Sequence, residues 1–106
     1  MVYSVFIHPS IYQEVILKLS SNDQSRIDSL VQQFTQNPYV GDSLQIKSIR
    51  EKRFDGKRIY YVVFDDLKSV LIVGLSGKRI QQRTIDSIKS RLNNYREYVI
   101  SIKDNN

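Results

Sequence analysis

The chain has no cysteine and a single histidine, His8. The first absence excludes disulfides, thiol nucleophiles and thiolate metal sites. The second removes paired-histidine metal motifs and two-histidine nuclease chemistry, and leaves a Ser-His-Asp arrangement without support. No apolar run approaches the roughly 20 residues that would span a bilayer. The opening Met-Val-Tyr-Ser-Val-Phe alternates at once, without a charged leader and apolar block. A cytoplasmic protein with no membrane partner is the default expectation. Repeats, low-complexity tracts and linkers are also lacking, so residues 1–106 are expected to form one domain, long enough to bury a core without staples.

Charge is plentiful but uneven. Residues 1–46 carry two basic side chains against four acidic ones, whereas residues 47–106 carry fourteen against seven, for a net +5. A basic half of this kind points to a polyanionic partner, either nucleic acid or an acidic protein segment; a merely solubilising surface is the alternative.

Periodicity supplies the elements. Val2 to His8 alternates and predicts a first strand, ended by Pro9. Ile11, Val15 and Leu19 predict a helix over 10–19, and Ile27, Leu30, Val31 and Phe34 a second over 23–36, stopped at Asn37-Pro38. The short break between them predicts an antiparallel helical hairpin. Residues 39–43 read as a loop. From Ile49 to Arg79, three β-branched and aromatic runs separated by Asp55-Gly56 and Asp65-Asp66 predict a three-strand antiparallel meander. A two-residue turn at Asp55-Gly56 would set Arg53 opposite Arg58 and Glu51 opposite Tyr60, all on one face. Val70 to Leu75 is apolar on both faces and predicts the most buried strand. A third helix is expected over 84–98, with a frayed polar tail from Lys103. The fold class is α+β, a small, mostly antiparallel sheet with a helical hairpin and a C-terminal helix.

The order strand, two helices, meander, helix resembles the RelE/ParE toxin superfamily of toxin–antitoxin systems. The residues carrying the resemblance are Asn37-Pro38-x-x-Gly41-x-x-Leu44, Arg53-x-x-Gly56-x-Arg58-x-x-Tyr61, and Val70 to Leu75 followed by Gly77-Lys78-Arg79. The resemblance implies a toxin silenced by a cognate antitoxin protein, as a dimer or a toxin–antitoxin hetero-oligomer. In the RelE branch the target is messenger RNA on the ribosome; the ParE branch poisons DNA gyrase. It places phosphate-binding, catalytic arginines at Arg58 and Arg79, with Arg53, Lys52, Arg50 and Lys78 as RNA-binding residues. No cofactor or metal is implied. Two lysines expected before the hairpin are Ile49 and Glu51 here, and Arg50 and Lys52 could replace them only through a bulge. A tyrosine expected six residues past Arg79 is Ile85. A degenerate protein-binding module of the same fold is the remaining alternative.

Chemistry narrows these roles. Cleavage by a ribose 2′-hydroxyl needs a base, a proton donor and cations for the crowded phosphate. Arginine suits only the last, since its fork grips two oxygens and does not give up its proton. Glu51 or Tyr60 could serve as base or donor on geometry, although a structural Glu51–Arg58 pair is the plainer assignment. Gly77-Lys78-Arg79 lacks the longer glycine spacing and following hydroxyl of a nucleotide-hydrolysing loop. Tyr60 and Tyr61 read as packing residues, and His8 as a surface or capping residue.

Overall fold

The computed structural model describes residues 2–105. Strand β1 (Ser4–Ile7) is followed by α1 (Pro9–Glu14), a 3-10 turn over Ile16–Lys18, and α2 (Ser21–Gln36). After a second 3-10 turn at Pro38–Val40 come β2 (Asp42–Leu44), β3 (Ile46–Phe54), β4 (Lys57–Phe64) and β5 (Ser69–Ser76). Helices α3 (Gln82–Ser90) and α4 (Leu92–Asp104) complete the chain. The five strands form one sheet in the order β1-β5-β4-β3-β2, with only β1–β5 parallel. Among the described residues no helix is long and apolar enough to cross a membrane.

The expected α+β architecture is present, and the meander register is the predicted one: Arg53 faces Arg58, Glu51 faces Tyr60 and Ile49 faces Val62. The turn between β3 and β4 has positive φ at both Asp55 and Gly56, 46° and 77°. That is the hairpin geometry whose twist matches the strands it joins. Because the register holds, the sheet has two distinct faces. On one, α2 lays Ile27, Leu30 and Phe34 over Phe54, Ile59, Tyr61, Val63, Val70 and Ile72. On the other, Ile88 and Val99 cover Ile49, Tyr60, Val62, Phe64, Leu71 and Val73. Strand β5 is buried on both faces as expected, and the central β4 shares that position.

Four expectations are corrected. The helix expected over 10–19 breaks at Val15, whose φ/ψ of −124°/−58° ends α1 and passes into the 3-10 turn. Residues 39–43 are not all loop: Asp42–Leu44 adds an edge strand to β3. The C-terminal segment is two helices, because Arg91 leaves helical geometry and lets α4 turn. Lys103 is not frayed; its Nζ donates to Leu67 O at 2.9 Å and to Ser69 Oγ at 3.1 Å, fastening α4 to the turn before β5. Asn106 lies outside the described residues.

Candidate active site

Register alone assembles the first row of the site. Arg53 stands opposite Arg58 on β4, and Arg58 stands opposite Ser76 on β5, all on the face of the C-terminal helices. One row inward are Glu51, Tyr60 and Gly74. Two facing arginines repel unless a carboxylate or an anion lies between them. Glu51 supplies part of that charge: Arg58 Nη1 donates to its Oε1 at 3.1 Å. Glu51 is 7% exposed, and its second oxygen is buried with no hydrogen-bond partner among the described residues. An unpartnered buried carboxylate oxygen is unfavourable and calls for a function or a ligand.

The second half of the site is built where β5 ends. A bulge between β4 and β5 leaves Val73 without a partner in the register and sets Gly74 opposite Tyr60. A Cβ at Gly74 would approach the Tyr60 ring to 3.1 Å, so the glycine lets the ring lie flat. The Tyr60 hydroxyl then meets Ser76 Oγ at 2.7 Å, and Ser76 Oγ donates to Lys78 O at 2.6 Å. These bonds hold the turn carrying Lys78 and Arg79. Both residues, with Tyr60, Ser76, Gln81 and Thr84, line an open groove of about 460 Å3. Helix α3 begins here with neither a side-chain cap nor an acidic residue in its first turn. Its leading amides therefore keep their partial positive charge for whatever enters the groove.

Not all six predicted residues meet. Arg53 and Arg58 share one face and one groove, of about 490 Å3, which reaches Gly77. Lys78 and Arg79 line the neighbouring one. Lys52 and Arg50 lie on the opposite face, opposed to the buried Ile59 and Tyr61, because β3 and β4 pair without a bulge. The two positions where the resemblance expects lysine are interior: Ile49 is fully buried and Glu51 nearly so. Ile85 is one of the buried residues of α3.

Arg50 has a different local environment. Its guanidinium lies 5.0 Å from the Tyr39 ring and donates to the carbonyls of Lys47 (2.9 Å), Gly41 (2.5 Å) and, more weakly, Tyr39 (3.4 Å). Tyr61 completes this junction, donating to Pro38 O at 2.8 Å and accepting from Gly41 N at 3.1 Å. Burial pushes its phenol pKa up. Gly41 is obligatory because a Cβ there would fall 2.2 Å from Glu51 O. The Asn37-Pro38-x-x-Gly41 motif thus positions β2 against β3. Tyr39 also donates to Asp65 Oδ2 at 2.5 Å, and Tyr3 to Oδ1 at 2.8 Å. These two bonds, Tyr39's first, hold the Asp65 carboxyl below its ordinary range.

Sequence periodicity missed Arg26. It sits on the exposed side of α2, yet it lines the hairpin grooves with Arg53 and pairs with Asp55 at 3.3 Å. Only the tertiary packing of α2 over the hairpin brings it there. Among the described residues no group of three or more His, Cys, Asp or Glu could hold a metal ion.

No family model and no curated protein matches the chain in sequence. Solved structures do match in shape. The isolated Escherichia coli RelE toxin superposes with a TM-score of 0.64 at 14% identity, over 83% of this chain and 97% of that one. A mutant of that toxin bound to a RelB antitoxin peptide gives 0.66 at 14% identity, over 87% and 95%. A RelBE toxin–antitoxin complex from Mycobacterium tuberculosis gives 0.64 at 17% identity, over 74% and 93%. The fold of this chain is that of the RelE toxins.

Proposed function

We propose that the chain is the toxin of a type II toxin–antitoxin pair, an endoribonuclease that cuts messenger RNA on the ribosome and is silenced by an antitoxin protein. The observation that carries this reading is the basic, uncovered end of the sheet. There Arg53 and Arg58 oppose each other across β3 and β4, next to a groove lined by Lys78 and Arg79. The RelE-like fold supports it.

Cleavage would proceed by attack of a ribose 2′-oxygen on the adjacent phosphorus. A new O–P bond forms, the bond to the departing 5′-oxygen breaks, and one proton leaves the attacking hydroxyl while another reaches the leaving group. Arg58 and Arg79 stabilise the extra negative charge on the phosphate, helped by the uncapped start of α3. Glu51 orients Arg58 through Oε1 from its buried position. Arg53, in the same groove as Arg58, holds the flanking chain. Arg50, on the far face, supports the fold rather than the RNA.

The test is a translation extract given the purified, folded chain, with cleavage of a programmed message mapped by primer extension. Codon-phased cuts that require ribosomes are expected, and Arg58→Ala should lower their rate by about 100-fold or more. Intact message at full translation would sink the proposal. A second reading, binding of a topoisomerase without RNA cleavage, is favoured by the burial of Ile49 and Ile85 at positions where the nuclease branch places functional side chains. Supercoiling blocked by a chain that leaves message intact would select it.

A further inference from the structure

Two grooves meet at the tip of the β3–β4 hairpin. The first joins Arg58 and Gly77 to Arg53 and Arg26. The second, about 520 Å3, lies between α2 and the outer edge of β3, where Arg26, Ser29, Gln33, Lys52 and Arg53 surround Phe54. Arg26, Arg53 and Phe54 line both, so the path around the tip is continuous.

Three features make the second groove a binding surface. It gathers three cations, and no carboxylate lines it among the described residues. The nearest counter-charge, Asp55, holds Arg26 at 3.3 Å with both side chains about half exposed, a pairing worth little in water. Strand β2 reaches only as far as Glu51, so β3 beyond it is an open edge. The two-residue turn pairs Phe54 with Lys57, and the alternation of an antiparallel ladder then points the N–H and C=O of Arg53 away from β4, toward that open edge.

The mixture of groups decides the ligand. The carboxylate side chains of an acidic segment only accept and would be served by donors alone. Here the carbonyl of Arg53 and the amide of Gln33 offer acceptors beside donors, as base edges require, while Arg26 and Lys52 suit phosphates. We infer that this groove is a second nucleotide subsite, holding single-stranded RNA that continues around the hairpin tip from the Arg58 site. The inference rests on the endoribonuclease reading and extends it to the far side of the hairpin.

Fluorescence anisotropy with labelled single-stranded RNAs of about 3 and about 12 nucleotides tests it on the intact chain. The longer RNA should bind tighter. The double variant Arg26→Gln, Lys52→Gln should weaken the longer RNA about 10-fold, spare the shorter one, and reduce the salt slope by about 1.4, two phosphate contacts at ~0.7 each. Asp55→Asn, which frees Arg26, should tighten the longer RNA, whereas Arg58→Ala should weaken both. Thermal melts confirm folding of each variant. Unchanged binding of the longer RNA by the double variant, equal loss on both lengths, or loss of polyglutamate binding alone would overturn the subsite. Variant-sensitive RNA binding by a chain that never cuts message would keep the subsite and sink the nuclease.

Discussion

Tyr61 shows how much one side chain can hold. Its ring stacks on Phe34 at 4.1 Å, and its hydroxyl is bonded to both Pro38 O and Gly41 N. Tyr61→Phe keeps the ring and strands two buried backbone groups, so a loss of about 1–3 kcal/mol is expected. Urea unfolding should show it as a lower midpoint at unchanged slope. Glu51 separates structure from chemistry. Glu51→Gln keeps the volume but removes the charge facing Arg58. With Arg58 no longer held, cleavage under the proposed reading should fall by about 10-fold or more, with kcat reduced and KM little changed. The sequence revealed Glu51 as a neighbour of Arg58 through turn spacing alone. It did not reveal the orphaned oxygen, since burial of that side chain follows from tertiary packing and not from turn spacing.

At the scale of elements, the helix break at Arg91 brings α4 back over β1. Tyr95 and Tyr98 close on His8, with ring centroids 5.8 and 5.1 Å away. His8 caps α1, its Nδ1 accepting from Ser10 N at 3.3 Å, as a capping residue should. Burial, then the nearby Arg91 charge, lowers its pKa. A lowered pKa means the unfolded chain binds the proton more readily. Stability from the neutral ring is therefore complete above about pH 6.5 and falls as pH drops through the lower folded value. Melting curves from pH 7 to 5 should show the decline, and His8→Gln should flatten it. Element types were legible where periodicity is strong, as in α2 and the meander. The edge strand β2 was not, because three residues carry no period and Asp42–Leu44 is a strand only through its pairing with β3. The break at Arg91 was hidden too: Ile85, Ile88 and Leu92 keep a helical spacing straight across it.

For the whole molecule, the sheet order sets a gradient of stability. β4 along most of its length and β5 over Ser69–Ile72 are paired on both sides and buried on both faces, while β2 spans three residues at an edge. Amide exchange should be slowest at Tyr61, Val62, Leu71 and Ile72 and fastest around β2 and the hairpin tip. The basic surfaces thus lie on the less protected rim of a firm centre, where a partner can reshape them at little expense to the core. The parallel pairing of β1 with β5 carries a consequence for the timing of synthesis. Ser4 to Ile7 cannot find their partners until residues 69–72 exist, and Arg79 is added later still. The sheet and the site that brings Arg58 and Arg79 together therefore cannot be completed until β5 has been made, since non-local pairing waits for the last strand. A force-sensitive arrest sequence placed at successive distances beyond Ser76 should register one late folding event, after β5 emerges, rather than stepwise gains from Pro9 onward. Until that event the basic surface has no fixed form, and its charges lie on an unordered strand of chain.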